Sequence, residues 1–435
     1  MPRFLLRLIA ADRLGYAAMQ AILLQAAGVL INFATGVITA RVLGAEGRGV
    51  YAAATTWAML AGSLATVGLA DAVLIQARKR PEVSRATVAC GLLAGLGLAT
   101  LLSLIAFFSM PLLLGRQASV ALDLARASLV LAHLGAVSVI VRQVYAGQGR
   151  YLAANLTAFL PTAFHALLLV GFLLSGRLTV ATAIASVAGG SILALALLLP
   201  ALLRDLQGPL SAWRGAWRDL KTFARRAVFA DLFGMAATWA DRIVLIHLLA
   251  PVQLGVYVVA ASLAQRITIF TPKTGLLLSA MSGERPEHAA QLHHLALRVT
   301  IASYLPVVAA LFLVDRLLMT TIYGAEFAAA VLVFRILVID RVLSRLAAVS
   351  SQLYLALGRP GLNSAIRGVE LAVMIGLMLL LTPEHGAAGA ASSLLGGTVA
   401  RLLLAWGGLV GQLRVPFPRL WLNRADLAGL RATLD

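Results

Sequence analysis

Nine basic side chains interrupt stretches of sequence that are otherwise apolar: Arg126, Arg142, Arg242, Arg266, Lys273, Arg335, Arg341, Arg345 and Arg401. A charge at the centre of a hydrocarbon layer costs about 2.5–3.5 kcal/mol on insertion scales, so it persists with a partner or a task. The task that suits arginine is anion binding, because its planar fork donates two parallel hydrogen bonds to a phosphate or carboxylate. Three stretches concentrate these residues. Between 254 and 281, Gly255, Ser262, Arg266 and Lys273 follow at spacings of seven, four and seven, which puts them on one helix face. Between 222 and 249, Asp231 and Arg242 lie eleven apart and again share a face. Between 328 and 357, Arg341 and Arg345 stack four apart, with Arg335 on a different face and Asp340 adjacent. In these stretches Asp231, Asp241 and Asp340 face six bases, and the surplus asks for an anion. Interhelical ion pairing that fixes packing is the competing explanation.

Other polar positions are milder. Gln25, Gly28, Asn32 and Gly36 make a polar and small stripe, suited either to close helix packing or to hydrogen-bonding sugar hydroxyls. Asp71, Asp231 and Asp241 are the candidates for a coupled proton or sodium ion. Arg126 is expected to pair with Asp123 at i,i+3, Arg142 to snorkel to the membrane edge, and Arg401 to stand alone. Enzyme signatures are absent. His293 and His294 fall on an expected cytoplasmic loop, and no HExxH, Asp-x-Asp or phosphate-binding GxxxxGK[ST] occurs. The single cysteine, Cys90, excludes a disulfide framework and a Cys-rich metal site. No catalytic residue, metal or cofactor is therefore expected.

The elements that position these residues follow from composition. Of 435 residues 60% are hydrophobic and 12% charged, against about 45–50% and about 25% in soluble domains. Mean hydropathy is +0.91. This describes an all-α polytopic membrane protein and excludes a soluble domain, a disordered chain and, since the apolar runs are long and continuous, a β-barrel. Twelve spans are expected, at 16–40, 50–75, 86–114, 121–146, 151–174, 179–203, 222–249, 254–281, 296–318, 328–357, 363–382 and 389–412. The net charge of +18 would suggest nucleic acid in a soluble protein. Here, with the N-terminus placed inside, 22 Lys and Arg fall in cytoplasmic segments and five, Arg48 among them, in outer loops. That asymmetry is the positive-inside rule, so both termini are expected in the cytoplasm and no nucleic-acid partner is needed. Pro161, Pro272 and Pro306 should kink their spans.

The two halves resemble each other. Residues 41–51 (RVLGAEGRGVY) and 247–257 (HLLAPVQLGVY) align at an offset of 206, with Gly49 on Gly255 and Tyr51 on Tyr257. Gln143, Tyr145, Gly149 and Arg150 align with Gln352, Tyr354, Gly358 and Arg359 at an offset of 209. Six spans per repeat is an even number, so the repeats run the same way through the membrane, related by an axis along its normal. The expected organisation is a basic leader at 1–15, a six-helix bundle at 16–203, an amphipathic linker at 204–221, a second bundle at 222–412 and a tail at 413–435. In the linker, Leu210, Trp213, Trp217 and Leu220 recur at helical spacing beside Arg214, Arg218 and Lys221, as in a helix lying in the membrane interface.

Three motifs in this order carry a family resemblance: 40–51 (ARVLGAEGRGVY), Asp241-Arg242 before 248–257 (LLAPVQLGVY), and 323–327 (YGAEF) before the tenth span. The chain resembles the polysaccharide flippases of the multidrug/oligosaccharidyl-lipid/polysaccharide exporter superfamily. The resemblance implies two six-helix bundles in a V around a central cavity. It also implies movement of an undecaprenyl-diphosphate-linked oligosaccharide across the bacterial inner membrane. Arg242, Arg266, Lys273, Arg335, Arg341, Arg345, Gln25 and Asn32 are then the residues expected to line the cavity. The implied partners are the lipid-linked oligosaccharide, membrane lipid, a proton or sodium ion, and a polysaccharide polymerase. Extra C-terminal spans and first-span arginines expected of lipid II flippases are missing, which argues against a lipid II substrate. A multidrug cation antiporter shares the fold but calls for cavity acids; a membrane polymerase or ligase calls for a long outer loop.

Overall fold

The computed structural model describes residues 12–80, 84–267, 281, 286–411 and 415–417. The helices among them are α1 (Asp12–Ala65), α2 (Leu69–Lys79), α3 (Ser84–Leu113), α4 (Ala118–Ser128), α5 (Val130–Gly147), α6 (Tyr151–Leu174), α7 (Val180–Asp205), α8 (Trp213–Leu248), α9 (Pro251–Gln265), α10 (Pro286–Leu317), α11 (Ala330–Ala356) and α12 (Pro360–Gly411). The molecule is thus an all-α, multi-pass membrane protein. Among the described residues, seven helical stretches are long and apolar enough to cross a membrane by length and composition. Two of these, Met19–Ala65 and Pro360–Gly411, have 47 and 52 residues, twice the roughly 20 a crossing needs. Each is broken by a glycine with positive φ, Gly44 (φ 68°) and Gly386 (φ 55°), so each is two spans back to back. Helices α8 and α11 are long enough as well but carry several charges.

The chain forms two compact units, divided after Gly255. In the first, the helix after Gly44 packs through small side chains: Ala53, Ala54, Ala58, Ala61 and Ala65 are all buried. Lipid is as apolar as leucine, so helices associate by close backbone approach rather than by escape from water. Step positions are tied by side chains. Ser128, where α4 gives way to α5, donates to the Ala54 carbonyl at 2.7 Å. Pro111 has no N–H, which leaves the Phe107 carbonyl of α3 without its helical donor. Arg126 supplies one, with Nε 3.3 Å from Phe107 O and the guanidinium over the Phe107 ring. The expected pairing of Arg126 with Asp123 is therefore replaced by a bond to a proline-orphaned carbonyl.

The repeat is visible in matching contacts, one in each unit. The Tyr145 hydroxyl donates to Leu198 O at 2.8 Å and the Tyr354 hydroxyl to Ala405 O at 2.7 Å. The turns that follow share the same glycine conformation and closing bond. Gly149 (φ 74°) and Gly358 (φ 69°) end their helices in the left-handed region. Arg150 N–H then bonds Tyr145 O, and Arg359 N–H bonds Tyr354 O, both at 2.8 Å, the Schellman closure.

At the other matched motif the two repeat segments touch, both within the first unit. A Cβ on Gly49 would lie 1.8 Å from Pro251 O, and one on Gly255 would lie 1.8 Å from Ala45 O. Ala45 and Pro251 are themselves repeat mates at the same offset of 206, so the contact is reciprocal. The end of α8 is tied in beside it. Buried Gln117 donates to Leu249 O at 2.8 Å. His247 sets Nδ1 2.9 Å from Ile243 O and Nε2 3.1 Å from Leu112 O.

Two further sequence expectations change. The amphipathic segment is not a separate surface helix: α8 runs without interruption from Trp213 to Leu248. Leu220 points into the core with Ala216, while Trp213 and Trp217 stay exposed. The ninth span starts ten residues early, so His293 and His294 lie on α10 rather than on a loop. His293 is fully buried, its Nε2 3.2 Å from Ser350 Oγ, which also accepts from Trp406 Nε1.

The glycine crossing gives a direct test. Gly49→Ala and Gly255→Ala should each destabilise the detergent-solubilised protein by about 3 kcal/mol or more, since backbone must move. Gly36→Ala, with nothing within 4 Å of the new Cβ, should be silent. Equal unfolding temperatures for all three variants would refute the crossing.

Candidate functional site

The charged positions separate into those the protein neutralises itself and those it leaves. In the second unit, Arg335 of α11 binds Asp315 of α10, with Nε 2.5 Å from Oδ2 and Nη2 3.4 Å from Oδ1. Asp315 is buried, and Phe312 lies under the guanidinium. Asp315 escapes sequence reasoning because it sits at the C-terminal end of a different helix, twenty residues away.

Next along α11 is a buried polar network shared with α12. Asp340 is 2% exposed and accepts from the Thr398 hydroxyl at 2.6 Å. Arg341 lies beside it, Nε 3.7 Å from Oδ2, near enough for attraction and too far for a hydrogen bond. Arg401 does not stand alone. Its Nη1 is 3.4 Å from Glu370 Oε2, and its Nη2 donates to Ser351 Oγ at 3.0 Å. Two acids and two bases balance within this network. A helix pattern shows which residues share a face, and it does not show which faces meet; hence Glu370 was invisible as the partner of Arg401.

Arg345 is different. It is half-buried one turn beyond Arg341, and no hydrogen bond or ion pair reaches it among the described residues. Arg266, half-buried, follows directly after α9. Lys273 lies outside the described residues, so its expected face with Arg266 has no structural counterpart here. In the first unit, Arg242 is exposed, with Trp239 beneath its guanidinium at 5.2 Å. Asp241 is half-buried on the same helix, and Asp231 is on α8 with a side chain outside those described. Asp71 is exposed in the first turn of α2. Gln25 is exposed; Asn32, also exposed, turns its amide back to Gly28 O at 2.8 Å, a local bond to its own helix.

One cation was misplaced by topology counting. Arg48, assigned to an outer loop, is 9% exposed in the helix that follows the Gly44 kink. Its Nη1 donates to Thr39 Oγ1 at 3.0 Å and it packs over Tyr51. The kink at Gly44 folds the loop motif into the bundle, and the sequence carries only the glycine that permits it.

Apolar back-to-back spans, a repeated turn and arginines held inside helices define a polytopic membrane protein built on an internal repeat. Residues 18–272, more than half of the sequence, match the family described as polysaccharide biosynthesis protein, and the chain belongs to it. No curated protein sequence matches. Solved structures share the fold. One is the lipid II flippase MurJ in an inward closed conformation, at 12% identity and TM-score 0.72, with 96% of this chain and 90% of that one covered. Another is a multidrug resistance MATE family transporter of the MOP superfamily, inward-facing, at 15% identity and TM-score 0.72, covering 89% and 94%. A third is a MOP superfamily transporter from Pyrococcus furiosus, described as having a binding pocket of reverse polarity that suggests a different function. It matches at 15% identity and TM-score 0.60, covering 94% and 97%.

The network predicts a double-mutant outcome. Arg401→Gln leaves the half-buried Glu370 carboxylate without its partner and should cost about 2–3 kcal/mol, below the range for a fully buried pair. Adding Glu370→Gln should recover most of that. Unfolding temperatures of the two single variants and the pair would show it; a pair as unstable as the sum of the singles would dissolve the contact.

Proposed function

We propose that the chain is a flippase, not an enzyme, that moves an undecaprenyl-diphosphate-linked oligosaccharide across the bacterial inner membrane by alternating access, both of its termini cytoplasmic. Membership of a polysaccharide biosynthesis family supports the glycan; the shared exporter fold supports transport. The observation that carries the anionic head is Arg345. A half-buried guanidinium without a partner among the described residues needs an anion or water, and the neighbouring Arg341 Nε is buried without a hydrogen bond. Arg266 is the second candidate contact. A diphosphate offers oxygens for bidentate bonds that a lysine cannot match. The lipid tail stays in the bilayer. A head of about −2 charge leaving an inside-negative cell gains about 4–5 kcal/mol per 100 mV, so a coupled proton or sodium ion is optional.

The multidrug cation antiporter remains the alternative, favoured by an equal TM-score to the MATE transporter. Cationic drugs would be repelled by Arg345, whereas Asp340 offsets the charge of Arg341. The reverse polarity described for the Pyrococcus furiosus protein is a precedent, within the same fold, for a pocket of changed charge.

Arg345→Ala and Arg266→Ala should each cut export by about 10–100-fold, the worth of a charged hydrogen bond. Arg345→Lys should retain part of it. Folded protein and the leaflet distribution of lipid-linked glycan are measured together. Normal export with Ala at both positions refutes the reading; lost protein instead points to a packing role.

A further inference from the structure

The first three turns of α8 carry a feature that transport does not use. Arg214, Arg218, Lys221 and Arg225 recur at intervals of four, three and four. On a helix turning about 100° per residue they fall within about 60° of one another. All four are exposed, and no ion pair reaches them among the described residues. Asp219, the one acid between 213 and 225, lies on another face, held 3.0 Å from Arg80 at the end of α2. Among the described residues the stripe is therefore a row of like charges without a counter-ion of its own, and such neighbours on one helix face repel each other. Arg78, Lys79 and Arg80 are also exposed, on a helix packed against α8.

What flanks the stripe identifies its partner. Trp213 and Trp217, 52% and 42% exposed, occupy the adjacent strip of the helix, with Leu210 exposed just before them. Beyond them Ala216 and Leu220 turn into the core of the first unit. The helix thus presents core contact, then indoles, then cations, in that order around its circumference. Exposed indoles settle at the boundary between headgroups and acyl chains, and cations beside them reach the phosphates. The helix that carries this face runs on into a membrane bundle, which sets the row of indoles and cations at the bilayer surface.

We propose that this face of α8 is a docking surface for the headgroups of anionic phospholipids in the adjoining leaflet. The indoles seat the helix at the acyl boundary, and the four cations hold a row of lipid phosphates. Each cation near an anionic surface strengthens binding about fivefold. Because α8 continues unbroken into the membrane, bound lipid fixes the angle at which the helix enters.

The test uses the full chain in detergent, titrated with phosphatidylglycerol or with phosphatidylcholine, with bound lipids counted by native mass spectrometry. The native protein should hold phosphatidylglycerol in preference to phosphatidylcholine, and salt should weaken that preference. Arg218→Gln should lose about fivefold in phosphatidylglycerol affinity, on the same scale. The four-site variant R214Q/R218Q/K221Q/R225Q should lose the preference altogether, while R214K/R218K/R225K keeps it. Equal binding of both lipids by the native protein overturns the proposal. So does an unchanged preference in Arg218→Gln and the four-site variant, which would leave the stripe to an acidic macromolecule.

Discussion

Hydrocarbon supplies no hydrogen bonds, and several local features among the described residues answer that constraint. A proline in α3 orphans a carbonyl, and an arginine from the next helix is spent on it. Two buried tyrosine hydroxyls each find a backbone oxygen on a neighbouring helix. Serines and threonines on the spans bond carbonyls one turn back, as Thr39 and Ser351 do. The same constraint makes arginine informative: Arg335, Arg341 and Arg401 each have an acid within 4 Å, so a half-buried Arg345 without one among the described residues stands out.

The repeat explains why some of these answers come in pairs. A tyrosine five residues before a left-handed glycine's successor both closes its own helix and anchors the next, and the arrangement appears once in each unit. The reciprocal glycines are a different use of duplication: equivalent segments meet each other, so each must be small where the other is backbone. Low complexity elsewhere in the sequence hides the relationship, and it survives where geometry allows few residues.

Legibility followed the range of the interaction. The helical class, most spans and the repeated turns were readable, because runs of apolar residues and i-to-i+5 closures are local. The partners of Arg335 and Arg401 were not, since Asp315 and Glu370 sit on other helices and periodicity says nothing about which faces meet. The boundary of α8 was misread because a basic, tryptophan-bearing segment looks like a separate interfacial helix. Nothing between Arg218 and Thr222 breaks the backbone, and the structure shows one helix. Arg48 was misassigned because topology counting treats every short connection as solvent-facing loop.

Helix α8 has 36 residues in one piece, a rod of about 54 Å. Its first turns carry the tryptophans and cations; its last turn holds His247 against the carbonyl of Leu112. A stiff rod cannot absorb a displacement along its length, so tilt imposed at the basic end reappears, as sideways travel, at the histidine end. The thickness and charge of the surrounding bilayer thereby acquire mechanical leverage over a contact that lies nearly a membrane's width away.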